Sequence, residues 1–478
     1  FFFAKLFRRC LRLTMLDILL FRQDKGGNPD LVRESQRRRC KDVGVVDKVI
    51  ELDNEWRKLT GKVDNLRKNA GLCSKAVGEK KKKKEPDGED LPIPEDLLKS
   101  LDNLDKEALT QLSVLQLKTL SKKCAEEVEV ATKQCEEKEA ERDQVLGSIG
   151  NIVHEDCLPT TDEDENQVVR TWGECKPAEG KLNHVDLMAK LGLDTSETAT
   201  RTAGGRAFFL QGPLCQLQLG LINYAMNFLI AREYTPMYPP FFMTKEAMGA
   251  VAQLSDFDDQ LYKVSGEGDD KYLIATSEQP IAAYHRNKWF AEKDLPIKYA
   301  GYSTCFRKEV GSHGRDTLGI FRVHQFDKIE QFCVTTPKDG KSWEMMESMI
   351  TTSEDFYQSL EIPYRVVRIV AGALNDAAAM KYDLEGFYCA SQKYRELVSC
   401  SNCTDFQSRR VGARIGSGKK EGQANVKEHV HMLNSTLCAI TRVMCCICET
   451  HQCAEGIQIP KNLQPYMGGM ELMKWVTP

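Results

Sequence analysis

Two long runs of this chain place apolar residues at alternating steps of three and four, and nothing else in the sequence limits the fold as much. In the first, Val49, Leu52, Trp56, Leu59, Val63, Leu66, Ala70, Cys73 and Val77 make a heptad seam over 45–77. That spacing holds one stripe of an α-helix against a partner helix. Gly78 and the run Lys80 to Lys84 end the pattern, and Pro86, Asp87, Gly88, Pro92 and Pro94 predict a loop. A weaker seam follows over 104–146, with Leu117, Leu120, Cys124, Val128, Ala131, Cys135, Val145 and Ile149. It stutters between Cys124 and Val128, and charged Lys138 and Arg142 take later seam positions. Together the two runs predict an antiparallel coiled-coil hairpin. Its mixed charges read either as a solvated surface or as a rod meeting phosphates through Arg57, Lys58, Lys62, Arg67 and Lys68. Lys80 to Lys84 has the same two readings.

With 478 residues, 41% hydrophobic and 28% charged, the chain has the composition of a soluble globular protein with more than one domain. A net charge of -4 excludes a general polyanion binder, so any nucleic-acid contact must come from local basic patches. The 18 cysteines include Cys445, Cys446 and Cys448 in an apolar helical stretch. Without a secretory signal they predict reduced thiols in the cytosol. No apolar run reaches the length of a membrane span, so no membrane partner is expected. Residues 1–14 are apolar, basic and free of acids. They read as a mitochondrial presequence or, preferably, as an extension upstream of Met15.

From about Thr171 short β-like runs (272–276, 298–302 and 364–370) alternate with helical ones (214–230 and 343–360). These predict an α+β domain around a largely antiparallel sheet, with the boundary between Gly150 and Trp172. Within it, Phe306-Arg-Lys-Glu309 and Arg322-Val-His-Gln-Phe-Asp-Lys-Ile-Glu330 flank a turn-rich loop, Gly311 to Gly319. Such a hairpin can aim guanidinium groups at phosphates while an aromatic packs on a base. Its rival is an amphipathic hairpin with surface salt bridges. Three further segments offer polar groups: Thr276-Ser-Glu278 at a strand end, Glu396-Leu-Val-Ser399 with carboxylate and hydroxyl three apart, and Asn434 to Arg442 leading into an apolar helix. Taken singly they read as a strand-end cap, a surface loop and a helix N-cap. Gly416-Ser-Gly-Lys-Lys420 lacks the glycine spacing of a phosphate loop and reads as a turn.

In order and spacing, Pro240 within Tyr238-Pro-Pro-Phe-Phe-Met243, Phe306-Arg-Lys-Glu309 and the Arg442 segment resemble motifs 1, 2 and 3 of class II aminoacyl-tRNA synthetases. Ala275-Thr-Ser-Glu-Gln-Pro280, Val323 to Glu330 and Glu396-Leu-Val-Ser-Cys-Ser-Asn-Cys403 resemble the seryl-tRNA synthetases among them. Met15-Leu-Asp and Phe21-Arg-Gln-Asp-Lys-Gly-Gly27 are similar to the start of the eukaryotic cytosolic form. The resemblance implies a two-helix arm on a class II antiparallel sheet flanked by helices: an extension over 1–14, a tRNA-binding domain over 15–160 and a catalytic domain over 161–478. It implies an ATP-dependent serine–tRNA ligase that is cytoplasmic and homodimeric and acts on tRNA(Ser) and, with it, tRNA(Sec). The alternative is a synthetase-like coiled-coil adaptor without catalysis.

For the site, the resemblance implies that Arg307, Glu309 and Arg442 serve catalysis. Arg307 holds the α-phosphate and amino-acid carboxylate, Glu309 meets adenine, Phe326 stacks on it and Arg442 holds the far phosphates. ATP is expected along Arg307, Lys308, Glu309, Val323, His324, Gln325, Phe326, Glu396, Leu397, Val398, Ser399 and Arg442. L-serine falls to Thr276, Glu278, Arg307, Glu330, Asn434 and Thr436, and Mg²⁺ to Glu396 and Ser399. No zinc is expected, because Cys400 and Cys403 lie inside the Glu396 segment and no second pair at finger spacing accompanies them. The chain departs from the family at Leu318, where Arg is usual, and at Gly386-Phe-Tyr-Cys-Ala-Ser391, where a Trp and a Pro-Gly turn are usual. Motif 3 has Ser435 and Ala439 in place of glycines, and a basic C-terminal tail is missing.

Overall fold

Seam residues become a buried interface where helix α1 (Gly44–Lys82) runs along helix α2 (Val114–Leu146). The computed structural model describes residues 16–89, 91–195, 197–252, 260–266, 268–310, 318–416 and 428–476. Residues 1–14, most of the 311–319 loop and all but Gly416 of the 416–420 turn lie outside them. The chain divides into two compact units, one of 42–149 with residues up to 33, the other of 34–41 with the chain from 150 onward.

In the first unit the helices are antiparallel, since Lys62 pairs with Glu127 (2.7 Å), Glu55 with Lys138 (3.0 Å) and Asp53 with Arg142 (3.2 Å). Val49, Leu52, Val63, Leu66 and Cys73 of α1 are buried with Leu117, Leu120, Cys124 and Ala131 of α2. Two details of the sequence reading change. Helix α1 runs through Gly78 to Lys82, because a solvent-facing glycine weakens a helix without breaking it. The second run is not one helix from Leu104: a short helix, Lys106–Thr110, precedes α2. Helix α2 then starts at a capping box in which Ser113 and Gln116 satisfy each other's backbone amides. Arg142 stays in the seam because Asp53 neutralises it and the Trp56 ring lies 4.7 Å from its guanidinium, with Arg22 on the same carboxylate at 2.7 Å. Of the basic residues offered for phosphates, Arg57 is paired to Asp24 and Lys62 to Glu127.

In the second unit the described residues form an eight-stranded sheet. Its strands are β1 (Gln167–Trp172), β2 (Thr235–Met237), β3 (Ile297–Phe306), β4 (Gln325–Thr335), β5 (Tyr364–Arg368), β6 (Met380–Tyr388), β7 (Lys393–Asn402) and β8 (His431–Ala439). Their order is β1-β5-β6-β7-β8-β4-β3-β2, antiparallel among the described pairs except β2 on β3. Helices α3 (Pro213–Ile230), α5 (Lys341–Ser359) and α7 (Ile440–His451) pack against the sheet, while the short helices α4 (Glu278–Tyr284) and α6 (Phe406–Val411) belong to the cleft wall. Strand alternation sorts β4: Gln331 turns to α5, its amide donating to Met349 O at 3.1 Å, while Glu330 turns to the cleft. The described cysteines are free thiols, and those of α7 are buried. No helix among the described residues is long and apolar enough to cross a membrane.

Candidate active site

The cleft is built on the alternating residues of β4. Phe326, Lys328 and Glu330 share one face and line two adjoining cavities. The larger, about 490 Å³, holds Thr276, Glu278, Glu330, Ser399, Gln407 and Asn434. The narrower holds Glu309, Phe321, Arg322, Val323, Phe326, Leu397 and Arg442. Arg307, Lys328, Glu396 and Thr436 line both.

Glu330 is the anchor of the larger cavity. Its Oε2 accepts from Thr276 Oγ1 (2.5 Å), Ser277 Oγ (2.8 Å) and the Glu278 amide (3.1 Å), and its Oε1 accepts from Lys328 Nζ (2.9 Å). The Thr276 turn fits so close because Gly301, opposite Glu330 on β3, carries no side chain; a Cβ there would meet Ser277 Oγ at 2.8 Å. Burial pushes the Glu330 carboxyl up, but Lys328 and the hydroxyl donors outweigh it and hold the group below its ordinary value. Glu278 behaves oppositely: burial first, then the Glu330 charge, push it up to about 7, although Gln407 and Asn434 both donate amides to it. Thr276 lies in the turn between the strand Lys271–Leu273 and α4, so it is not the strand's last residue.

Arg307 follows β3 directly, and its amide pairs with His324 O at 3.0 Å, extending the hairpin. Its guanidinium lies 5.4 Å from the Phe326 ring and Nε donates to Ala275 O at 3.4 Å, which aims the group between the cavities. Glu309 sits beside Arg322 (3.5 Å) and Arg206 (4.0 Å). Arg442, at the start of α7, stacks on Phe321 at 5.2 Å and donates to Glu396 Oε1 at 3.2 Å. Among the expected ATP residues, Lys308 lines neither cavity, and its amide pairs with Gln260 O. His324 and Gln325 line a third cavity of about 510 Å³, and Val398 is buried.

A bulge joins Glu396 to Ser399. In the β6–β7 pairing Glu385 faces Glu396 while Leu384 faces Val398, so Leu397 is the extra residue. One extra residue shifts the phase, and positions three apart come to one face. Leu397 then fills the room left by Gly386, where a Cβ would meet its Cδ1 at 2.4 Å. The segment is therefore strand, not surface loop, and Asn434 is strand β8, not a helix N-cap; α7 begins at Ile440. Two oxygen donors on one face suit a hard divalent cation, while Asp383, opposite Ser399 on β6, is already paired to Lys381 at 3.2 Å. The Glu396 side chain is 47% exposed; partial desolvation in the cleft raises its carboxyl, but Arg442, Lys381 and Arg307 hold it below its ordinary value.

The wall of the larger cavity at 374–377 has little secondary structure of its own. Arg39 holds it: the buried guanidinium donates to Asn151 O (3.1 Å), Asn375 O (3.1 Å) and Ala378 O (2.6 Å). Sequence reasoning assigns no separate role to Lys328, Gln407 or Arg39. Lys328 alone carried a readable signal, its two-residue spacing from Phe326 and Glu330.

A sheet of this order with its arginines over one face defines a class II synthetase core, and the family model described as tRNA synthetase class II core domain (G, H, P, S and T) matches residues 262–451. A second model, seryl-tRNA synthetase N-terminal domain, matches residues 15–117. The cytoplasmic serine–tRNA ligase of Danio rerio is 52% identical over 97% of this chain and 92% of its own length, and that of Homo sapiens gives the same figures. Among solved structures, the cytoplasmic serine–tRNA ligase of Naegleria fowleri in complex with AMP is 54% identical, with a TM-score of 0.87 over 97% of this chain and 99% of that one. The seryl-tRNA synthetase of Pyrococcus horikoshii complexed with ATP is 34% identical, with a TM-score of 0.83 over 96% and 100%. The chain belongs to the seryl-tRNA synthetase family.

Proposed function

We propose that this chain is an active, cytoplasmic serine–tRNA ligase, joining L-serine to ATP and passing the seryl group to tRNA(Ser) and tRNA(Sec). The carrying observation is the pair of cavities that meet at Arg307 and Lys328. Two substrates bound in them touch where a carboxylate must attack phosphorus. The larger cavity takes the amino acid, its ammonium and hydroxyl among Thr276, Glu278, Glu330, Asn434 and Thr436 and its carboxylate toward Arg307. Buried polar groups left unpaired reject alanine, and the limited space rejects threonine. ATP takes the narrower cavity, about 30 Å³, together with the 510 Å³ cavity that shares Phe326 and Thr441 with it, with adenine on Phe326 and against Glu309, and the far phosphates on Arg442. Mg²⁺ would be held by Glu396 and Ser399, and when bound it neutralises phosphate charge.

Attack of the serine carboxylate on the α-phosphorus expels pyrophosphate, and the tRNA 3′-adenosine hydroxyl then takes the seryl group. Neither step needs a side-chain nucleophile; Arg307 positions both reactants and offsets the developing charge. The inactive-adaptor reading requires loss of charged clamps, whereas Arg307, Glu309, Glu330, Glu396 and Arg442 all line the cleft. We assign tRNA binding to the domain over 15–160 and catalysis to 161–478. A homodimer is supported by large apolar residues left exposed on and near α3: Leu219 at 55%, Ile230 at 45% and Tyr238 at 71%. Serine-dependent exchange of pyrophosphate into ATP tests the reading. Exchange is expected with serine and not with alanine, and folded protein without exchange would sink it.

A further inference from the structure

Lys328 stands where a substrate ammonium belongs. Its side chain is 6% exposed, and Nζ donates to Glu330 Oε1 at 2.9 Å and to Thr276 Oγ1 at 2.8 Å. Both acceptors belong to the larger cavity, and the other Glu330 oxygen is already occupied by Thr276, Ser277 and the Glu278 amide. An amino-acid ammonium brings the same charge and the same three donors. It therefore competes with Lys328 for Oε1 instead of adding to it. A lysine driven off its carboxylate inside a protein must find another anion, because an unpaired buried charge is strongly unfavourable.

The same side chain lines the narrower cavity beside Arg307, Arg322 and Arg442. An ammonium on a four-carbon stem can turn between the two, whereas Arg307 is held by Ala275 O and by the Phe326 ring. We propose that Lys328 is an exchangeable counter-ion coupling the two substrates: the incoming ammonium replaces it on Glu330, and the released Nζ turns to the α-phosphate oxygens of ATP. Each substrate then favours the other by the same factor, as linkage requires. This rests on the reading of the cavities as serine and ATP sites.

Titration of ATP binding with and without serinamide tests it. Serinamide keeps the ammonium and hydroxyl but has no carboxylate to activate. Serinamide should tighten ATP binding about tenfold in the wild-type protein, within the usual span of such couplings, and less than about twofold in Lys328→Met. In Glu330→Gln, where Lys328 loses its carboxylate, ATP should bind tighter than in wild type without serinamide; this variant carries the test should Lys328→Met not fold. Equal tightening in wild type and Lys328→Met, or unchanged or weaker ATP binding in Glu330→Gln, would overturn the proposal. A wild type that catalyses serine-dependent exchange but shows no coupling overturns this proposal alone. One that binds neither ligand overturns the ligase reading with it.

Discussion

Glu278 and Glu330 share a cavity, yet their surroundings drive their proton affinities apart. Glu278 ionises near 4.5 ordinarily and about 7 here, under burial and the Glu330 charge. The folded protein therefore binds more protons than the unfolded chain between those values, and this group's contribution to stability falls as pH rises through the window. Glu330 is depressed, so its contribution is complete above the unfolded value and is lost only on acidification. Relative to Glu278→Gln, the wild-type urea midpoint should therefore decline as pH rises from about 5 to about 7. Arg307 carries the largest catalytic expectation. Arg307→Lys keeps a charge but loses the fork, and exchange should drop about 10²- to 10³-fold, the scale of losing one aimed donor.

At the scale of elements, the β7 bulge brings Glu396 and Ser399 together, and Gly386 makes room for it. Gly386→Ala should push Leu397 out of place and weaken Mn²⁺ binding, read by electron paramagnetic resonance, with little change in the unfolding midpoint of the arm. In the arm, Asp53→Ala leaves Arg22 and Arg142 without their shared carboxylate. Arg142 keeps Asp143 at 2.7 Å, so the loss should fall below the roughly 3–5 kcal/mol of a fully broken buried pair, and the helical circular-dichroism signal of the arm should melt at lower temperature. Much of this was legible beforehand. The period of Val49 to Val77 read as helix, and 298–302 and 364–370 read as strands, because both patterns follow burial of one face. The Glu396 and Asn434 segments did not read as strands, because bulges beside them break the two-residue period. Gln407 and Arg39 reach the cavity only through tertiary contacts and left no local signal.

Across the whole molecule the two units should separate chemically. Deletion of 45–146 is expected to abolish tRNA charging while sparing serine-dependent exchange; charging that survived would end the arm's assigned role. The dimer expectation is equally open to test, since Leu219→Glu on α3 should shift the protein toward monomer in sedimentation at low micromolar concentration. The Arg39 clasp has a consequence for synthesis of the chain. It closes the cavity wall with residue 39 on one side and residues 375 and 378 on the other, while the opposite wall waits for Asn434. Pairings so distant form late. A ribosome must have delivered the chain past Asn434 before the cavity exists, so an unfinished chain would not sequester free serine.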